Sequence, residues 1–146
     1  MTPRIIYLIK RAEIEITARM NQVLEQFGLT PIQYTLLYFI ETNKSNFSSA
    51  QLSRRFSVKP QSMNELVQLL EQKKLVKKNT DPAHKRILRI SLTKKGKRLL
   101  ESSSTALDEL EENLLDELSV ADINMLRQLL GSILESARQA KETSVE

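Results

Sequence analysis

Cysteine is absent from these 146 residues, which excludes structural disulfides, thiolate metal sites and any cysteine-based redox sensor. Three glycines and four prolines are too few for a disordered chain or a many-stranded sheet. No apolar run approaches the roughly 20 residues that span a membrane. Met1-Thr2-Pro3-Arg4-Ile5-Ile6-Tyr7 is followed closely by Lys10 and Arg11, so a signal-peptide hydrophobic region is not expected and the cytoplasm is the expected location. The only histidine is His84. With one His and no Cys, the spacings of Ser/His/Asp triads, phosphate loops and metal sites are missing, so the expected protein is not an enzyme and holds no cofactor or metal. A lone loop histidine without clustered carboxylates reads as a solvated residue, not as a ligand or pH sensor.

What is present is charge sorted by region. Between Lys44 and Arg98 stand 15 Lys and Arg against Glu65, Glu71 and Asp81. From Glu101 to Glu146 the balance reverses, with Arg127, Arg138 and Lys141 against 11 acids. Such a basic block between neutral and acidic flanks suits a polyanionic partner, nucleic acid first, although a solvated basic face has the same composition. The acids at Asp108, Glu109, Glu111, Glu112, Asp116 and Glu117 interleave with Leu107, Leu110, Leu114 and Leu115. They mark the wet side of an amphipathic helix more than a cation site.

Apolar spacing predicts a helix from Ile5 to Phe27, stopped at Gly28. Thr30-Pro31 with Gln33 reads as a capping box opening a helix that carries Leu36, Leu37, Phe39 and Ile40. Ser48 with Gln51 opens a short helix with Leu52 and Phe56 inward, and Ser57-Val58-Lys59-Pro60 turns into another whose stripe is Met63, Leu66, Val67, Leu69 and Leu70. That pair has the outline of a helix-turn-helix. The period then changes. Leu75–Lys78 and Arg86–Leu92 look like strands around a charged tip, Asn79 to Lys85, forming a wing. Thr93 caps a helix with Leu99, Leu100, Leu107, Leu110, Leu114 and Leu118, and Ser119 with Asp122 caps a last one with Ile123, Leu126, Leu130, Ile133 and Leu134. So small a wing unit cannot cover all these leucines, which need one another or a second subunit.

Three segments carry a family resemblance: Leu29-Thr30-Pro31-x-Gln33, Leu70-Glu71-x-x-Lys74-Leu75-Val76, and Leu92-Thr93-x-x-Gly96. At these separations, with a helix on each side, the chain resembles MarR-type winged-helix transcriptional regulators over essentially its whole length. The resemblance implies a mostly α fold with a small β-hairpin wing, the winged helix-turn-helix flanked by N- and C-terminal dimerisation helices. Residues 1–29 and 99–146 would form the dimer and residues 30–98 would bind DNA. It further implies a homodimer on a pseudo-palindromic duplex, with the second helix of the pair in the major groove and a wing arginine in the minor groove.

Carried over by position, the base-facing residues are Gln61, Ser62, Asn64, Glu65 and Gln68, and the wing arginine is Arg86. Gln and Asn can pair with adenine, Ser with either base type, and Glu with cytosine N4. Arg54, Arg55 and Lys59, with Lys77, Lys78 and Lys85 on the wing, suit phosphates. Two positions depart from the family pattern. His84 stands where an aspartate usually braces the wing arginine, and Glu65 is acidic on the DNA side. Lys74 replaces a common glycine, which implies a less strained exit from the helix. The family also implies release by a small aromatic or anionic effector, for which Tyr7, Tyr34, Tyr38 and Phe39 are the candidate lining, although plain core packing would use the same residues. The competing function is a winged-helix adapter or anti-regulator that docks on protein without specific DNA binding.

Overall fold

The computed structural model describes residues 1–44 and 46–143. Among them the order of elements is α1 (Ile5–Leu24), a 3₁₀ turn (Glu25–Phe27), α2 (Pro31–Thr42), α3 (Ser49–Phe56), α4 (Pro60–Gln72), β1 (Val76–Thr80), β2 (Leu88–Leu92), α5 (Lys94–Leu115) and α6 (Val120–Thr143). No helix among them is long and apolar enough to cross a membrane. The chain divides into two units, residues 1–110 and residues from Glu111 onward.

In the first unit the elements begin and end where local chemistry satisfies the backbone. Gly28 closes the 3₁₀ turn at φ 65, the left-handed region where a side chain would be strained. The Thr30 hydroxyl accepts from the Gln33 N–H at 3.4 Å while Gln33 Oε1 accepts from the Thr30 N–H at 3.2 Å, a reciprocal cap with Pro31 at the first helical position. Ser48 and Gln51 do the same for α3, at 3.2 and 2.9 Å. Ser57 turns the chain at φ 54, and α4 begins three residues later with Pro60.

The core these helices enclose is built from Leu24, Leu36, Leu37, Leu52, Met63, Val67, Leu70, Leu75 and Ile90, each at most 2% exposed. Burying each such side chain contributes about 1.5–3 kcal/mol, so the helix-turn-helix is held chiefly by this cluster. The stripe of α4 is narrower than its sequence implies. Met63, Val67 and Leu70 are buried and Leu66 is half-buried, but Leu69 is 39% exposed because it lies off that line.

The wing is an antiparallel hairpin registered from Val76↔Leu92 to Thr80↔Leu88. Its strands are shifted from the expected spans, since β1 runs on through Thr80 and β2 starts at Leu88 instead of Arg86. The cause lies in the loop. Asp81 Oδ1 accepts from the Ala83 N–H at 2.8 Å, and the Ile87 N–H donates to the His84 carbonyl at 2.8 Å, so Arg86 and Ile87 belong to a turn and not to the ladder. An isolated bridge joins Ile90 to Phe47, with the Ile90 N–H on the Phe47 carbonyl at 2.9 Å. The exit from α4 is also not relaxed. Lys74 sits at φ 60, a position that favours glycine and costs a lysine about 1–2 kcal/mol.

The Thr93 hydroxyl accepts from the Gly96 N–H at 3.0 Å and starts α5. In the second unit Ser119 and Asp122 form the expected reciprocal cap of α6, at 3.1 and 3.2 Å. Along α6, Leu126, Leu129, Leu130, Ile133 and Leu134 are exposed, as are Ile5, Ile6, Leu8 and Ile16 on α1.

Candidate nucleic-acid interface

The buried line Met63, Val67 and Leu70 fixes which side of α4 is left to solvent. Gln61, Asn64, Glu65 and Gln68 follow one another at helical spacing on that outer side, with Ser62 beside them, and all five are exposed. Three are already engaged. Gln61 Nε2 donates to Glu65 Oε1 at 3.4 Å, and Asn64 Oδ1 accepts from the Ser49 hydroxyl of α3. Asn64 thus uses its oxygen within the fold, and the Glu65 carboxylate is partly answered by its neighbour. Glu65 and Glu71 are the acids of α4, and its first turn has none.

The candidate phosphate-binding cations differ in how free they are. Arg54 and Lys59 are exposed at the end of α3 and the start of α4. Arg55 is exposed too, but its guanidinium lies 5.6 Å from the centre of the Phe39 ring. On the wing, Lys77 is exposed while Lys78 Nζ sits 3.2 Å from Glu71 Oε2. Lys85 and Arg86 stand exposed in the turn, and His84 is exposed beside them without bracing Arg86.

Sequence reasoning read Gln51 only as a helix cap, Asp81 only as a turn residue and Arg89 only as one of the hairpin's cations. Arg89 is half-buried and directs both Nε and Nη2 at Asp81 Oδ2, at 2.8 and 2.6 Å. Its Nη1 donates to Gln51 Oε1 at 2.6 Å. The Asp81 carboxyl is held below the usual range, first by the Ala83 N–H and then by the Arg89 hydrogen bond. Its folded value being depressed, the pairing is present above the ordinary aspartate range and is lost only as pH falls through that lower value. The available signal was the single acid among the hairpin's cations.

The four aromatic candidates do not form one lining. Tyr34 and Tyr38 are one helical turn apart, with ring centres 5.9 Å from each other, and Tyr34 Oη is 3.1 Å from Ser104 Oγ. Phe39 points elsewhere, packing against Phe47 and Phe56 at 5.1 and 5.2 Å. Tyr7 is exposed on α1. Among the described residues no group of three or more His, Asp or Glu could hold a metal.

The sequence profile of the MarR family matches residues 27–87, from the end of the first helix to the wing turn. YhbI of Bacillus subtilis, an uncharacterized HTH-type transcriptional regulator, is 29% identical over 143 residues, covering 98% of this chain and 88% of its own. Residues 27–87 of the chain are thus similar to the MarR family. The HTH-type transcriptional repressor Rv2887 of Mycobacterium tuberculosis is 25% identical over 124 residues, covering 85% of this chain and 88% of its own. The crystal structure of the Staphylococcus aureus MepR–DNA complex superposes with a TM-score of 0.76 at 24% identity, covering 92% of this chain and 96% of that one.

Proposed function

We propose that this protein is a homodimeric transcriptional repressor that reads a pseudo-palindromic DNA duplex. The observation carrying the reading is the outer face of α4. Gln61, Ser62, Asn64, Glu65 and Gln68 lie on it together, away from the buried stripe, and the cations Arg54, Lys59, Lys85 and Arg86 are exposed in the same unit. Polar side chains with bidentate reach suit base edges in the major groove, while the flanking cations suit phosphates that set register. Glu65 would accept from a cytosine N4 and repel phosphate, so it favours specific over non-specific binding. Residues 30–98 form the DNA-binding part, and residues 1–29 and 99–146 supply the dimer. A small aromatic or anionic effector would be held at the Tyr34–Tyr38 pair, the two candidate aromatics whose rings meet.

The test is selection of bound sequences from a random duplex library, at low and at physiological salt. A two-fold motif with half-sites about one helical turn apart is expected. Binding without a motif, lost as salt rises, would reduce the function to the phosphate term. No binding at either salt would leave the protein-docking adapter as the better reading. On the selected duplex, Arg86→Ala is expected to weaken binding by about 1–3 kcal/mol without lowering stability, as for one specific groove contact. Unchanged affinity in a filter or anisotropy titration would remove the wing from the groove.

A further inference from the structure

We propose that Arg89 is the positioning residue of the wing, clamping it to the helix-turn-helix so that Arg86 can reach the duplex. The proposal rests on the DNA-binding reading above and adds a role that the wing's charge alone does not assign. Arg86 itself has no brace, since His84 occupies the place of the family's usual aspartate and makes no bond to it. The bracing in this chain lies where the hairpin meets its turn. One guanidinium there joins three separate elements. Nε and Nη2 fork on Asp81 Oδ2 at 2.8 and 2.6 Å, while Asp81 Oδ1 closes the wing turn on the Ala83 N–H at 2.8 Å. Nη1 holds Gln51 Oε1 at 2.6 Å, the same oxygen that accepts the Ser48 N–H at 2.9 Å in the cap of α3.

Arg89 therefore ties the turn that carries Lys85 and Arg86 to the first helix of the reading pair. With its side chain 22% exposed and its fork occupied, it is not free for a phosphate. Lysine cannot replace it, because a single ammonium lacks the planar fork that spans Asp81 and Gln51.

The experiment is a double-mutant cycle on the selected duplex, with Arg86→Ala, Arg89→Met and the double variant, together with Arg89→Lys. Arg86→Ala alone should weaken binding about 5- to 150-fold. In the Arg89→Met background the same change should matter less than about 2-fold, the margin within which independent sites add. Arg89→Lys should behave as Arg89→Met although it keeps the charge. In the free proteins, hydrogen exchange at the Ala83 and Ile87 amides should accelerate in both Arg89 variants while the buried α2 amides of Leu36 and Leu37 stay protected. The clamp is overturned if Arg86→Ala costs the same in both backgrounds, if Arg89→Lys retains wild-type affinity, or if the Ala83 amide is unaffected. Should no duplex bind the wild-type protein, the DNA-binding reading fails, and the exchange measurement decides the clamp by itself.

Discussion

Gly96→Ala is expected to destabilise the protein by about 3 kcal/mol or more, the range of severe overpacking against atoms that cannot rotate away. A Cβ at Gly96 would lie 2.0 Å from the Leu75 carbonyl oxygen and 2.9 Å from its carbon, both main-chain atoms. That oxygen is not idle, because it accepts the Thr93 N–H at 3.0 Å. The Thr93 hydroxyl donates to the Lys74 carbonyl at 2.7 Å while accepting from Gly96. The exit of α4, the residue just before β1 and the first turn of α5 thus share one seam. Moving α5 away to admit a methyl group would break these bonds and open the core at Leu75, Val76, Leu92 and Leu100, all buried. Gly131 is the matched control. It lies within α6 with nothing within 4 Å of an added Cβ, so Gly131→Ala should be neutral or stabilise by about 0.5–1 kcal/mol through helix propensity. Denaturation midpoints of the two variants check both signs. A Gly96→Ala protein within 1 kcal/mol of wild type would mean that the seam can open without cost.

The motif Leu92-Thr93-x-x-Gly96 was legible as a family signature, whereas its physical reason required the position of Leu75. The same division runs through the chain. The caps at Thr30, Ser48, Thr93 and Ser119 could be read because each joins residues three apart, a distance that sequence displays directly. The wing's existence was legible from the change in period, but its limits depended on Asp81, whose turn excludes Arg86 and Ile87 from the ladder. The exposed face of α4 followed from helical spacing, though Leu69 shows that an apolar residue beside a buried line need not join it. Charge counting failed differently, by treating cations as equivalent. Lys78, Arg89 and Lys97 are paired with Glu71, Asp81 and Glu41, and Arg55 lies over Phe39, so each has a partner within the fold. For the aromatics, neighbours in sequence diverge in space, because Tyr38 and Phe39 sit about 100° apart around α2.

Deleting the chain from Ser119 onward should turn the proposed dimer into monomers or aggregates and weaken binding to the selected duplex by about 10²- to 10⁴-fold, the range lost when two linked sites no longer act together. The argument starts from apolar surface that this chain does not cover. On α6, Met125 and Leu129 are each 54% exposed and Leu134 is 71% exposed, while Ile6 and Tyr7 of α1 are 72% and 57% exposed. Monomeric proteins rarely show such apolar stretches, and two-fold closure is the commonest way to bury them. Aggregation is expected alongside monomers because the exposed apolar residues of α1 remain in the truncated chain. Leu126→Lys with Leu130→Lys serves as the gentler variant, since it keeps the helix and charges its exposed face. Sedimentation should then report soluble monomers with an intact core, and the two half-sites of the duplex should be occupied independently. A truncated chain that sediments as a dimer and binds with unchanged affinity would take α6 out of the interface and leave α1 to form it alone.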